Sequence, residues 1–321
     1  MSIFLFILVH NIAPIFILVG LGFTISKKFN LDIYTLSKLN FYLFMPAFIF
    51  VNLFTTKLEP TMLKILLFCM VYLIINDLIS RVVSKLRHFD TGMANAFKNS
   101  IQFNNTGNIG LSLVTLVFST GPYFINGETP YLVEAQTALI IVMVFTNIST
   151  NTLGFYNAGR ATMKFKDSII KIFSMPSIYA IPAALILKQM HVNVASWFVW
   201  PALSFLKDGL VAMALITLGV QLSKTKFDFT DLNVPISVFT RLIIGPILAI
   251  LLIPLFGFEG VVAQTVFIAQ SVPTAVNTAL IAVEFKSNED FATQAVVMST
   301  IFSAFTLTFA IFISRILYPV F

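Results

Sequence analysis

Two short polar runs in this chain have the residue types to hold an anion. The first is FNNTGNIGLSL, residues 103–113, with Asn104, Asn105, Thr106, Gly107 and Asn108. The second is AQSVPTAVNTA, residues 269–279, with Ser271, Pro273, Thr274 and Asn277. Side-chain amides and hydroxyls donate hydrogen bonds to a carboxylate yet stay neutral when the site is empty. Glycine lets the backbone approach a ligand closely, and proline at a first helical turn costs no hydrogen bond. A helix that starts in such a run points unpaired N–H groups and about half a positive charge at the break, which suits an anion.

Both runs interrupt segments that are otherwise apolar and long enough to cross a bilayer. Irregular backbone at membrane depth survives only where protein buries it or a cavity receives it. Matched Gly- or Pro-interrupted segments in two halves of a chain are the sequence pointer to the binding site of a secondary transporter. Small residues that merely ease helix packing are the competing explanation for one such run, and a weaker one for two at matching positions.

The composition agrees with a membrane setting. Of 321 residues, 58% are hydrophobic and only 11% charged, against about 25% charged in soluble domains. Mean hydropathy is +0.92. The net charge of +6 does not read as a nucleic-acid surface, because the basic residues are spread between apolar segments. The N-terminal run lacks a basic leader and is long enough to span, so it reads as a first membrane segment and not as a cleaved signal. A lone cysteine, Cys69, excludes an internal disulfide, and the dispersed His10, His88 and His191 do not predict a metal site. No hydrolase, metalloprotease or nucleotide-binding motif occurs, so neither an enzyme nor a cofactor is expected.

Ten apolar segments are expected, near 3–25, 35–55, 61–80, 93–119, 131–154, 168–188, 194–222, 232–256, 259–284 and 291–317. With the N-terminus outside, fourteen Lys and Arg residues fall in inner connections and four in outer ones. The positive-inside rule then places both termini outside. Residues 1–154 form a first five-span unit, 155–167 a short cytoplasmic linker, and 168–321 a second unit inserted the opposite way up. The predicted fold is therefore an all-α integral membrane protein of ten transmembrane helices. It consists of two inverted five-helix repeats, with the broken helices at spans 4 and 9.

Charges inside spans are the remaining candidates. Asp77 and Arg81 are four apart and can pair on one helix face. Lys207 and Asp208 are neighbours in span 7, about 100° apart around the helix, so pairing with each other is not required. Asp77, Asp208 and Lys207 are the candidates for proton or ion coupling. Arg241 in span 8 reads slightly better as a tie between helices, through backbone carbonyls, than as a residue steering an anion.

NTGNIGLSL and SVPTAVNTALIAVEF resemble the two signature regions of the auxin efflux carrier family, and APIFILVGLGFTISKK, LSKLNFYLFMPAFIFVNLF and RLIIGPILA extend the similarity over nearly the whole chain. The resemblance implies ten spans in two inverted five-helix repeats, crossed broken helices (spans 4 and 9) at mid-membrane, and transport of an organic anion. It also implies a division into a scaffold of spans 1, 2, 6 and 7 and a moving group of spans 3–5 and 8–10. Two departures matter. Ser112 stands where the family commonly has proline, so the first break must form around Gly107 and Gly110. The central loop is short, as in bacterial members, so auxin is not the default substrate. A small carboxylate such as malate or malonate is expected, moved across the plasma membrane by alternating access. A sodium-coupled symporter of bile-acid type and a non-transporting carboxylate sensor are the alternatives. Expected partners are the organic anion, protons or sodium, the lipid bilayer and a second copy of the chain as a homodimer.

Overall fold

The computed structural model describes residues 3–55, 60–159, 176–224, 232–285 and 287–320. Among these, the regular structure is helical. In chain order the helices are α1 (Phe4–Phe29), α2 (Thr35–Thr55), α3 (Pro60–Leu86), α4 (Thr91–Gln102), α5 (Thr106–Ser119), α6 (Leu132–Ala158), α7 (Pro176–Gln189) and α8 (Trp200–Lys224). They continue with α9 (Asn233–Phe256), α10 (Gly260–Ser271), α11 (Val276–Phe285) and α12 (Glu289–Leu317).

Seven helices among the described residues are long and apolar enough to span a bilayer: α1, α2, α3, α6, α8, α9 and α12. The sequence predicts ten spans, and the difference has local causes. Expected spans 4 and 9 are each divided, into α4 and α5 and into α10 and α11, so no piece reaches full length. Expected span 6 starts at 168, but 160–175 lie outside the described residues, and only Pro176–Gln189 is seen as helix. Two boundaries also move. The expected linker begins inside α6, which runs to Ala158; Gly159 follows it, and 160–167 lie outside the described residues. Span 7 starts at Trp200, after a single turn at Val194–Ser196, and not at 194.

Packing sorts the helices into two groups. In one, α8 lies along α1 and α2, and α2 also packs on α7. Backbones touch here: a Cβ on Gly22 would collide with the Ile216 carbonyl, and one on Gly219 with the Val19 carbonyl. One turn further along each helix, Ser223 donates to Ser26 at 2.8 Å. Small residues four apart on both helices are what close packing in a membrane requires, because no hydrophobic force drives helices together in lipid. In the other group, α6 and α12 pack around α10, α3 packs on α4 and α6, and α9 on α12. Large apolar side chains such as Ile17, Leu78, Phe205 and Phe309 face outward, the arrangement expected of a lipid-facing surface.

Candidate functional site

The two breaks meet. Beyond Gln102 the chain is extended at Phe103, and beyond Ser271 it is extended at Val272. Asn104 and Thr274 form an antiparallel bridge. The Asn105 N–H donates to the Pro273 carbonyl at 2.8 Å, and the Ala275 N–H to the Phe103 carbonyl at 2.9 Å. Backbone groups freed by one break are thus satisfied by the other, as burial demands.

Side chains repeat the reciprocity. Asn104 Nδ2 donates to the Ala269 carbonyl at 3.0 Å and to Gln270 Oε1 at 2.9 Å, at the end of α10. Thr274 Oγ1 donates to the Ser100 carbonyl at 2.8 Å, near the end of α4. The Thr274 N–H donates to Ser299 Oγ of α12 at 3.2 Å.

Arg241 joins both ends. It sits in a π-helical turn, Thr240–Ile244, and is fully buried. Nε donates to the Val272 carbonyl at 3.0 Å, Nη1 to the Ile101 carbonyl at 3.0 Å, and Nη2 to the Gln270 carbonyl. These carbonyls lie at the C-terminal ends of α4 and α10, where helices carry partial negative charge. The three-way fork of a guanidinium suits them where an ammonium would not. The expectation of a tie through backbone carbonyls therefore describes its contacts.

The opposite helix ends start at the same crossing. α5 begins with a π-helical turn, Thr106–Gly110, in which Ile109 and Gly110 both donate to the Asn105 carbonyl, at 3.1 and 3.0 Å. α-Helical geometry starts at Leu111, just past Gly110. Gly107 lies against the Met45 methyl of α2. Ser112 Oγ donates to the Asn108 carbonyl at 2.7 Å, so a hydroxyl serves the carbonyl four residues back from the position where the resembled family has proline. Pro273 does not open the second half-helix. It lies buried in the extended segment, three residues before Val276, where its carbonyl serves Asn105 and a missing N–H costs nothing.

Of the expected anion ligands, Asn104, Asn105, Thr106, Gly107 and Asn108 reach the crossing from one side, and Pro273, Thr274 and Asn277 from the other. Their states differ. Asn104 and Thr274 are engaged as caps. Ser271 Oγ is bonded to the Phe267 carbonyl of its own helix at 2.8 Å. Asn105 is buried and its Nδ2 has no partner, so a donor is left over at the start of α5. Asn108 and Asn277 are half-buried in the first turns of α5 and α11.

Asp77 is half-buried between Arg81 Nε at 2.6 Å and Lys98 Nζ at 2.8 Å. Lys98 belongs to α4, so this acid is tied to a half-helix of the crossing. Lys207 and Asp208 pair with each other at 3.2 Å, and the Asp208 side chain is 67% exposed. Their place in span 7 is therefore on the outer surface of α8, not in its packed face. Sequence reasoning missed Tyr72, Ser100, Gln102, Gln270 and Ser299. Tyr72, Gln270 and Ser299 are polar groups inside apolar helices, and Ser100 and Gln102 belong to the largely polar α4, but only the tertiary fold places them at the crossing.

A family model described as "Membrane transport protein" matches residues 7–311. No curated protein matches the chain.

Proposed function

This chain belongs to the membrane transport protein family, the auxin efflux carrier group, and from that premise we propose that it is a secondary carrier of a small organic carboxylate. The observation that carries the reading is the crossing itself. The N-terminal ends of α5 and α11 start beside the unpartnered Asn105 amide, while the one buried guanidinium there offsets the C-terminal ends of α4 and α10. An anion entering this place meets N–H dipoles, neutral amides and a fixed positive charge.

In the proposed mechanism the anion rests on Asn105, Thr106, Gly107 and Asn108 from one side and on Thr274 and Asn277 from the other. The group built on α1, α2, α7 and α8 acts as scaffold, and the remaining helices move the crossing past it to open alternately to either side. Residues 1–154 and 168–321 are the two inverted halves, joined by 155–167 inside, with both termini outside and the plasma membrane as the site of action. Proton coupling, where present, runs through Asp77 in preference to Asp208 or Lys207, because Asp77 alone touches a helix of the crossing, through Lys98. Buried Arg241 also weighs against sodium at these helix ends, since its guanidinium already takes three of their carbonyls.

The test is uptake of radiolabelled malate, malonate and monocarboxylates into proteoliposomes. Saturable accumulation of at least one supports the carrier. Binding without uptake identifies a sensor, and uptake that requires sodium identifies the symporter.

A further inference from the structure

The outward stripe of α3 ends in charge. Leu67, Met70, Ile74 and Leu78 are exposed on it, spaced three or four apart as one side of a helix requires. The same spacing continues to Arg81 and Lys85, both exposed, and Arg87 follows at the end of the helix. The Arg81 side chain is 70% exposed. α9 runs beside α3 in the opposite direction. Arg87 Nη2 donates to Asn233 Oδ1 at 3.0 Å at one end, Gly245 lies against the Tyr72 hydroxyl midway, and the Phe68 and Phe256 rings are 5.5 Å apart at the other. α9 is apolar outward as well, at Phe239, Ile247 and Leu255. The two helices therefore offer one apolar surface that leads to three cations.

These cations exceed the acids that could neutralise them. Arg81 bonds Asp77 through Nε, which leaves Nη1 and Nη2 for a further ligand, and Asp77 is already shared with Lys98. Arg87 bonds a neutral amide, and among the described residues Lys85 forms no ion pair. Asp90 is spent on the start of α4, where Oδ1 accepts from the Met93 N–H at 2.7 Å. Glu289 and Asp290 are exposed in the first turn of α12 and pair with none of these cations. A soluble acidic partner is disfavoured, because Arg81 shares its side of the helix with Ile74 and Leu78, which suit hydrocarbon. Arg81 lies about 7.5 Å short of the end of α3 at Leu86. From that depth a long side chain keeps its stem in hydrocarbon and brings its charge to the level of lipid phosphates.

We infer that the charged end of α3 binds an anionic phospholipid, with Arg81, Lys85 and Arg87 around its phosphate and its acyl chains along α3 and α9. The terminal nitrogens of a guanidinium can donate in parallel to two phosphate oxygens. On the orientation proposed above, this end faces the cytoplasm, where anionic lipids attract the basic ends of helices. Through the chain Arg81–Asp77–Lys98 the headgroup is linked to α4, a half-helix of the crossing. The inference does not depend on which solute the protein carries.

The experiment titrates the purified full-length protein, in neutral detergent, with phosphatidylglycerol, phosphatidylcholine and glycerol phosphate, and counts bound molecules by native mass spectrometry. Phosphatidylglycerol should bind about fivefold tighter than phosphatidylcholine or better, and glycerol phosphate, which has no acyl chains, far more weakly than either lipid. Arg81→Gln and Lys85→Gln should each weaken phosphatidylglycerol binding roughly fivefold. Replacing both Lys27 and Lys28 by Gln removes exposed charge from the end of α1 and should leave that binding unchanged. Lys85 forms no ion pair within the described residues, so Lys85→Gln carries the test should Arg81→Gln disturb Asp77. Equal affinity for the two lipids, or equal losses from the α1 and α3 variants, overturns the inference in favour of a general attraction between basic helix ends and anionic lipid. Glycerol phosphate binding as tightly as the lipid also overturns it, and assigns the cations to a free anion.

Discussion

At the scale of single residues, the crossing separates groups that hold the fold from groups free to hold a ligand. Asn104 and Thr274 are committed to capping each other's half-helices, whereas Asn105 keeps an unused donor. A hydrogen bond to a charged group contributes about 1.5–3 kcal/mol, or roughly ten- to over a hundredfold in affinity. Asn105→Ala and Asn277→Ala should weaken carboxylate binding by that order on purified, monodisperse protein, and unchanged affinity in both would place the substrate elsewhere. Arg241 behaves differently, because its loss strands three buried carbonyls. Arg241→Met should lower stability by at least about 3 kcal/mol, read as a fall in the thermal midpoint, with Arg241→Lys intermediate. A midpoint equal to the parent in Arg241→Met would mean that water replaces the guanidinium without loss. Asp77→Asn should abolish pH-driven accumulation while exchange persists. If accumulation survives, Asp77 serves only to hold α3 to α4.

Among helices, the sequence was legible where chemistry and periodicity agree. Irregular polar runs inside apolar segments announced the two breaks, and the positions of the interruptions, 103–105 and 272–275, fall inside those runs. The pairing of one break with the other was not legible, because two residues 170 positions apart carry no local sign that their backbones will bond. The same holds for Tyr72: a polar residue in an apolar helix reads alike whether it faces lipid headgroups, a neighbour or a cavity. Pro273 misled in register by three residues, since proline suits an extended linker as well as a first turn. The small residues at the α1–α8 contact were not singled out in the sequence, because a glycine in an apolar helix reads alike on a packed and an open face. Gly22→Val should drive those helices apart and lower the thermal midpoint by several degrees. Gly20→Ala, on the open side of the same helix with nothing within 4 Å of the added carbon, should leave it unchanged or raise it. Equal effects of the two would show that the α1–α8 contact has slack.

For the whole molecule, the asymmetry of basic residues was the widest signal and the least local. It predicts that cysteines placed at Ser2 and at Lys164 label from opposite faces of intact cells, and labelling from one face would break the ten-span topology. The grouping of helices follows packing and could not be read from periodicity, because nearly every apolar segment here is apolar on all sides.

The reciprocal bonding at the crossing has a consequence for how the chain is made. Until residues 270–275 are made, the Asn105 N–H and Phe103 carbonyl lack their partners Pro273 and Ala275. Each unsatisfied backbone group in hydrocarbon costs several kcal/mol. The nascent first half must therefore wait, shielded by other helices, water or an insertion chaperone, until residues 270–275 arrive. A chain stopped before that point should be cleared by membrane proteases, whereas one stopped after it has its centre closed. Closure of the crossing thus doubles as a check that synthesis has passed residue 275, written into four backbone atoms.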